Sequence, residues 1–197
     1  ARNRLWMNAY MGPGTTLGEG CVIGPAVRTG SGCRIGHQVV IHADTVIGSD
    51  VRIDDHATLG KLPMRAANSA TTREQELPPL TVGDQCIVGT GVVLYRGAAI
   101  DGKVLMADLC TVRENVTIGR GTIVGRGVTV ENFCTIGRYC KLESECYLTA
   151  HSTLEDRVFV APGVVTSNDN FVGRTAERLK HFKGVTVKKG GRLGAGS

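Results

Sequence analysis

The sequence predicts an all-β fold in which short parallel strands wind as a narrow triangular prism, a parallel β-helix. Between Val82 and Val160 every sixth residue is aliphatic or Met. A second series lies two residues before the first, and its members, such as Cys86 and Val92, are mostly small or β-branched. A period of six fits neither a helix, which repeats every 3.6 residues, nor a simple strand, which repeats every two. It fits a coil that uses one hexad for each of its three faces.

The hexads account for nearly the whole chain and predict a single domain over residues 1–197. Ten hexads cover residues 5–59, fifteen cover 82–166, and two more cover 187–193. Twenty-seven hexads make nine coils of three, which predicts a prism of about 43 Å at the usual spacing between strands.

Two insertions, residues 61–79 and 167–184, interrupt the repeat. The first contains three prolines and a polar, charged middle, and part of the second has the composition of one or two helical turns. Long insertions in a compact repeat are more often functional flaps or subunit contacts than loops without a role. Repeat proteins nevertheless also tolerate plain surface loops at their corners. The repeat stops at Ser197, close to the next inward position. An uncapped end leaves unpaired backbone groups, so we expect the C-terminal end to be incomplete or covered by a partner.

Composition excludes several classes of protein. The net charge of +5 is modest and spread along the chain, without the basic run or aromatic platform of a nucleic-acid binder. No stretch approaches the eighteen apolar residues of a membrane span, and residues 1–10 lack the apolar core of a signal peptide. We therefore expect a cytoplasmic location.

The cysteines are predicted to be structural. All seven occupy the small inward position of a hexad, where a small apolar side chain packs well, and within each continuous block no two lie eighteen residues apart. Disulfides and a thiolate metal site are not expected, because no cysteine stacks on another in the next coil. The seven are Cys21, Cys33, Cys86, Cys110, Cys134, Cys140 and Cys146.

Reactive groups must lie outside such a narrow apolar interior, and outward polar residues are densest just before the second insertion. His151 can accept a proton near neutral pH, and nearby carboxylates can orient it or hold a cationic amine. The group comprises Glu143, Glu145, Tyr147, His151, Glu155, Asp156, Asn168, Asp169 and Asn170.

The last third of the chain resembles a known enzyme family. Residues 142–156 read LESECYLTAHSTLED, residues 158–170 read VFVAPGVVTSNDN, and residues 182–197 read FKGVTVKKGGRLGAGS. These segments are similar to those of hexapeptide-repeat acyltransferases that acetylate amino groups on nucleotide-linked sugars. The hexad repeat itself resembles the wider superfamily over nearly the whole length, and the resemblance implies that the β-helix is left-handed.

The resemblance also implies a reaction and its site. It implies that acetyl-coenzyme A is the co-substrate, that no metal is needed, and that three prisms form a homotrimer with an active site between two of them. Asn168, Asp169, Asn170 and Arg174 would lie by the acceptor sugar, together with Glu145 and Tyr147. Coenzyme A would lie along the coils that open with Lys188, Lys189, Gly190 and Arg192, where cationic donors suit its phosphates.

His151 is the candidate general base, with Glu143 or Glu155 as its helper. An amine that attacks an activated thioester must be placed against it, must lose a proton, and needs donors for the developing oxyanion. The sequence leaves open the identity of the acceptor, the choice between amine and hydroxyl, and the length of the acyl chain.

Two other functions stay open at this point. Some hexapeptide-repeat proteins are carbonic anhydrases of the γ type, and His37 and His42 have a spacing that such zinc sites use, but a third histidine two coils earlier is missing and His56 comes too late. A non-catalytic scaffold subunit is the second alternative. The two polar insertions and the cluster around His151 disfavour it, because a spacer needs neither.

Overall fold

The chain folds as a three-sided parallel β-helix in a computed structural model that describes residues 2–68 and 75–197. The predicted polar middle of the first insertion lies partly outside the described residues. The described chain contains three parallel sheets, named A, B and C here, of eight, eight and nine strands.

The strands are almost all two residues long, and successive strands along the chain belong to different sheets. Sheet A contains Arg4–Leu5, Val22–Ile23, Val40–Ile41, Thr58–Lys61, Val93–Tyr95, Thr111–Val112, Thr129–Val130 and Tyr147–Leu148. Sheet B contains Arg28–Thr29, Val46–Ile47, Thr81–Val82, Ala99–Ile100, Thr117–Ile118, Thr135–Ile136, Thr153–Leu154 and Thr186–Val187. Sheet C contains Thr16–Leu17, Arg34–Ile35, Arg52–Ile53, Ile87–Val88, Leu105–Met106, Ile123–Val124, Lys141–Leu142, Phe159–Val160 and Arg192–Leu193.

The register of the sheets follows the hexads. Each strand pairs in parallel with the strand one coil later, as when Ile118 pairs with Ile136, eighteen residues on. Isolated bridges at Tyr10 and Val165 extend sheets B and A by one position each. The predicted all-β class is therefore confirmed, and the arrangement agrees with the predicted left-handed parallel β-helix of hexapeptide repeats.

The core is a single column of inward side chains that runs along the prism. Met106 and Ile118, from the middle of the hexad series, are 0% and 1% exposed. All seven cysteines are free and buried in this column. Burial raises the pKa of the Cys110 and Cys146 thiols to about 12, so they remain protonated and unreactive at neutral pH.

Three corners join the sheets, and each is named by the sheets it connects. In the continuous central coils the A–B corner contains residues 95–97, 113–115, 131–133 and 149–151. The B–C corner contains residues 101–103, 119–121, 137–139 and 155–157, and the C–A corner contains 107–109, 125–127 and 143–145. The third residue of a corner commonly has a positive φ, including several residues other than glycine.

Both insertions leave the prism at the A–B corner. The first follows the strand Thr58–Lys61 of sheet A and rejoins at Thr81–Val82 of sheet B. The second follows Val165, which bridges to sheet A, and rejoins at Thr186–Val187 of sheet B. It contains one 3₁₀ helix, Ala176–Lys180, whose five residues are far short of a membrane span, and no other helix of the described chain is long and apolar enough for one. Four turns of the A–B corner therefore lie between the two insertions.

Candidate active site at the A–B corner

A buried polar network occupies the A–B corner between the insertions. The Glu114 side chain is 0% exposed and accepts two hydrogen bonds from Arg113, from Nε at 2.9 Å and Nη2 at 3.1 Å. Arg113 Nη1 also donates to Glu131 of the next coil at 3.2 Å, and Asn132 Nδ2 donates to Glu114 Oε1 at 3.2 Å. A buried carboxylate is costly without such partners, so the network ties two adjacent coils together at this corner.

Residues of the same corner hold both ends of the first insertion. The ring of Tyr95 lies between the Lys61 ammonium, 5.4 Å from its centroid, and the Arg113 guanidinium, 5.1 Å away on the coil above. Arg96 donates from Nε to the Leu77 carbonyl oxygen at 2.9 Å and from Nη1 to the Ala43 carbonyl oxygen at 3.0 Å. The path of the insertion is thus fixed where it leaves and where it returns.

His151 is the last residue of the topmost turn in this corner. Its φ is +65°, its amide donates to the Asn132 carbonyl oxygen at 3.1 Å, and its side chain is exposed. The imidazole stacks on the ring of Phe133, one coil below, with a centroid distance of 4.9 Å and an interplanar angle of 2°. The ring plane of the candidate base is therefore set by an aromatic neighbour and not by a carboxylate.

The second insertion passes directly over His151. Gly184, at the end of the insertion, lies so close to the backbone of His151 and Ser152 that a Cβ would overlap it. Asn168 Nδ2 donates to the Ala150 carbonyl oxygen at 3.4 Å. These contacts bring the predicted acceptor segment to His151.

The predicted acceptor residues of this insertion differ in their roles. Desolvation opposes ionisation of Asp169, but hydrogen bonds from the amides of Phe171 and Gly173 and the Arg178 guanidinium outweigh it and lower the pKa of the carboxyl. Asp169 therefore organises the loop itself. Asn170 and Arg174 are exposed and available to a ligand.

Neither carboxylate predicted to assist His151 lies beside it. Glu155 is at the B–C corner, where it pairs with Lys188. Glu143 and Glu145 belong to the C–A corner, across the width of sheet A from His151, and Glu145 pairs with Arg126 at 2.9 Å. Tyr147 lies on the outer face of sheet A, where burial and the charge of Glu131 raise its pKa. The predicted pairing of Glu143 with His151 is thus not made within one chain, because the two residues stand at opposite edges of a sheet.

The predicted cofactor residues meet at the B–C corner. Lys188 Nζ donates to Glu155 at 2.8 Å, and the Lys189 amide donates to the same carboxylate at 2.9 Å. Gly190 turns the chain with a φ of +71°, and Arg192 Nη1 donates to the carbonyl oxygens of Arg157 and Gly190 at 3.0 and 2.9 Å.

One strand connects the two halves of the predicted site. The strand Thr153–Leu154 follows His151 and precedes Glu155, so three residues lie between the two corners, and the four steps from His151 to Glu155 span roughly 13 Å of extended chain. A cleft of about 340 Å³ lies on this face of sheet B, lined by Thr135, Thr153 and Lys189 among others. The structure thus places the candidate base and the basic corner at the two edges of one face.

The histidines considered for a zinc site lie at different corners of the prism. His37 lies at the C–A corner, where its Nδ1 accepts a hydrogen bond from the Glu19 amide at 3.0 Å. His42 lies at the A–B corner, where burial and the Lys61 charge lower its pKa. Across residues 2–68 and 75–197, no three His, Cys, Asp or Glu side chains are grouped to hold a metal ion.

Two family models match parts of the sequence. The bacterial transferase hexapeptide model (six repeats) matches residues 26–61, and the hexapeptide repeat of succinyl-transferase matches residues 68–96. These two stretches are therefore similar to hexapeptide repeats of known transferases, in agreement with the three-sided coils.

Solved structures with a similar fold include proteins from three organisms. LpxA from Acinetobacter baumannii is 18% identical with a TM-score of 0.75, over 83% of this chain and 64% of that one. LpxA from Bacteroides fragilis, a UDP-N-acetylglucosamine acyltransferase, is 16% identical with a TM-score of 0.75, over 90% and 79%. The UDP-N-acetylglucosamine acyltransferase from Campylobacter jejuni is 15% identical with a TM-score of 0.55, over 90% and 81%. At these identities the likeness shows the fold, and no curated protein matches this chain.

Sequence reasoning missed two fully buried polar residues at the A–B corner. Glu114 and Asn132 occupy corner positions, which the hexad pattern marks as outward, and yet both are 0% exposed. Their eighteen-residue separation was the available signal, because it stacks them on adjacent coils. The same spacing links Phe133 to His151.

Proposed function

We propose that this protein is a coenzyme A-dependent acyltransferase that acetylates an amino group on a nucleotide-linked sugar. The observation that carries the proposal is the placement of His151, exposed and ring-stacked between two anchored insertions, one strand away from the basic Lys188–Lys189 corner. The names of the similar solved structures, two of which specify a UDP-N-acetylglucosamine acyltransferase, favour the same class of reaction.

The proposed reaction is a direct attack on the thioester. The uncharged amine of the acceptor forms a bond to the acyl carbon while its proton passes to the His151 imidazole. The carbon–sulfur bond then breaks, and the thiolate leaves and takes up a proton. Backbone N–H groups at the corner would stabilise the developing oxyanion, and Asn168, Asn170 and Arg174 would hold the sugar.

Assembly is part of the proposal. Glu143 stands at the far edge of sheet A, so it can assist His151 only when another copy of the chain contributes it. A cytoplasmic homotrimer in which corners of neighbouring prisms face each other would bring these groups together. Sedimentation that shows only a monomer would remove Glu143 from the site.

The proposal is tested by free thiol release from acetyl-coenzyme A in the presence of a panel of nucleotide-linked amino sugars, with the product identified by mass. We expect His151→Asn to lower kcat by about 100-fold or more with KM nearly unchanged, because a positioned general base contributes about that factor. Asn tolerates the positive φ of this position, so the backbone is preserved.

His56→Asn is the matched control, since His56 is also an exposed corner histidine, with a φ of +61°. Its activity should equal that of the unaltered protein. No thiol release with any acceptor would exclude the proposed reaction, and an unchanged rate in His151→Asn would exclude His151 from it.

A further inference from the structure

A cleft on the sheet C side of the B–C corner has a composition that the predicted site does not explain. Its volume is about 350 Å³. It is lined by Tyr139, Lys141, Arg157, Val158, Phe159 and Arg192. Of these residues only Arg192 was expected to contact a ligand.

Two of the lining residues form a stack at the corner itself. Tyr139 and Arg157 are eighteen residues apart, and both have positive φ values, +55° and +60°. The Arg157 guanidinium lies 5.8 Å from the centroid of the Tyr139 ring, and the other side of the ring lies close to Gly121. The coil spacing thus holds an aromatic face against a cation.

Three more lining residues form a second stack on the outer face of sheet C. Phe159 pairs in register with Lys141 on one side and with Arg192 on the other. Phe159 is half-buried, whereas Lys141 and Arg192 are exposed. The hydrogen bonds of Arg192 to backbone carbonyl oxygens within the described chain all use Nη1, so its guanidinium is held by one edge.

The two stacks lie side by side, and aromatic and cationic side chains therefore alternate across the cleft. Three cations and two aromatic rings line it, and no carboxylate is among its lining residues. Aromatic and guanidinium faces accept a planar heterocycle, and Lys and Arg donate to phosphate oxygens. A neutral sugar or an apolar chain could pack against the rings, but it would leave the three cations without an anionic partner.

We propose that this cleft binds a nucleotide, with the base packed against Phe159 and the phosphates against Lys141, Arg157 and Arg192. The same chemistry is present in the nucleotide end of coenzyme A and in the nucleotide of an activated sugar. Binding itself is independent of acyl transfer. Its assignment to one substrate of the reaction rests on the proposed function.

The test is isothermal titration calorimetry of the intact chain with four probes. Adenosine 3′,5′-bisphosphate represents coenzyme A, UDP and GDP represent nucleotide-linked sugars, and pyrophosphate lacks a base. We expect at least one nucleotide to bind at least tenfold more tightly than pyrophosphate, because base stacking contributes about that factor. Preference for the adenosine compound assigns the cleft to the acyl donor, and preference for UDP or GDP assigns it to the acceptor.

Two variants locate the binding. Lys141→Gln should weaken the preferred nucleotide about fivefold or more, and Phe159→Leu should weaken it about tenfold while leaving pyrophosphate unchanged. Arg34→Gln is the matched control, because Arg34 is an exposed cation on the same face of sheet C several coils away, and it should bind as the unaltered chain does.

Absence of nucleotide binding, equal affinity for pyrophosphate and nucleotides, or loss of affinity in Arg34→Gln equal to that in Lys141→Gln would each overturn the proposal. These results are separate from the thiol-release assay. If the chain binds a nucleotide here but transfers no acyl group, the cleft proposal stands and the proposed function is wrong. If it transfers acyl groups but binds no nucleotide here, the proposed function stands and the cleft proposal is wrong.

Discussion

The A–B and B–C corners are built from the same hexads, yet they hold opposite kinds of ion pair. At the A–B corner the Glu114 side chain is 0% exposed and its partner Arg113 is 19% exposed. At the B–C corner the Glu155 side chain is 39% exposed and its partner Lys188 is 79% exposed. The first pair lies in the protein interior and the second in solvent.

The two corners also differ in the insertions. The A–B corner carries both of them, and Tyr95 and Arg96 contact the first insertion where it leaves, at Lys61, and where it returns, at Leu77. The B–C corner is uninterrupted through the central coils, and the described clefts form along it. The interior of the prism repeats the same kind of position, so the differences between the three sides lie at the corners.

The contrast between the two corners is tested most directly by removing a glutamate charge at each of them. Glu114→Gln should lower the free energy of unfolding by about 3 kcal/mol, because it leaves Arg113 and Asn132 buried around a neutral amide. Glu155→Gln should leave stability nearly unchanged, because an exposed pair is screened by solvent. Urea denaturation followed by circular dichroism measures both. Equal losses at the two corners would show that the contrast in exposure has no energetic meaning.

A smaller effect is expected from the aromatic pair that only the A–B corner has. Phe133→Leu should reduce kcat about fivefold to tenfold, because a stacked aromatic pair contributes about 0.5–1.5 kcal/mol and its loss frees the His151 ring. Phe133→Tyr keeps the stacked face and should restore activity, which a purely structural role in packing would not require. A kcat in Phe133→Leu equal to that of the unaltered protein would show that His151 needs no such neighbour.

The sequence was sufficient for the fold because inward positions obey one local rule. Each of Met106, Ile118 and Leu142 is aliphatic or Met at the sixth position, and each is buried. The insertion boundaries followed from the same rule, since both breaks in the rhythm are departures from the prism. The phase of the cysteines likewise predicted their burial.

The site was harder to predict, because the corner on which a residue lies depends on the number of its hexad along the chain. Two residues that are close in sequence can therefore lie at different corners. Glu143 and His151 are eight residues apart and stand at different corners, whereas Phe133 and His151 are eighteen apart and touch. Counting hexads in threes would have assigned the corners. It would not have revealed that Glu114 is buried, because the hexad pattern does not encode its hydrogen bonds from Arg113 and Asn132.

The smallest expected effect concerns pH at the exposed B–C corner. The hydrogen bond from Lys188, the Lys189 amide and the charges of both lysines lower the pKa of Glu155 below its ordinary value of 4.5. A lowered folded-state pKa means that the contribution to stability is fully present above the ordinary pKa and is lost as pH falls through the lowered one. The stability difference between the unaltered chain and Glu155→Gln should therefore be constant from pH 7 to about 5.5 and shrink below about 4.5. Paired urea denaturation at each pH measures it, with 1 M salt expected to abolish most of the difference. A difference that grew as pH fell would mean that Glu155 binds its proton more tightly in the folded chain, and the pair with Lys188 would then not stabilise this corner.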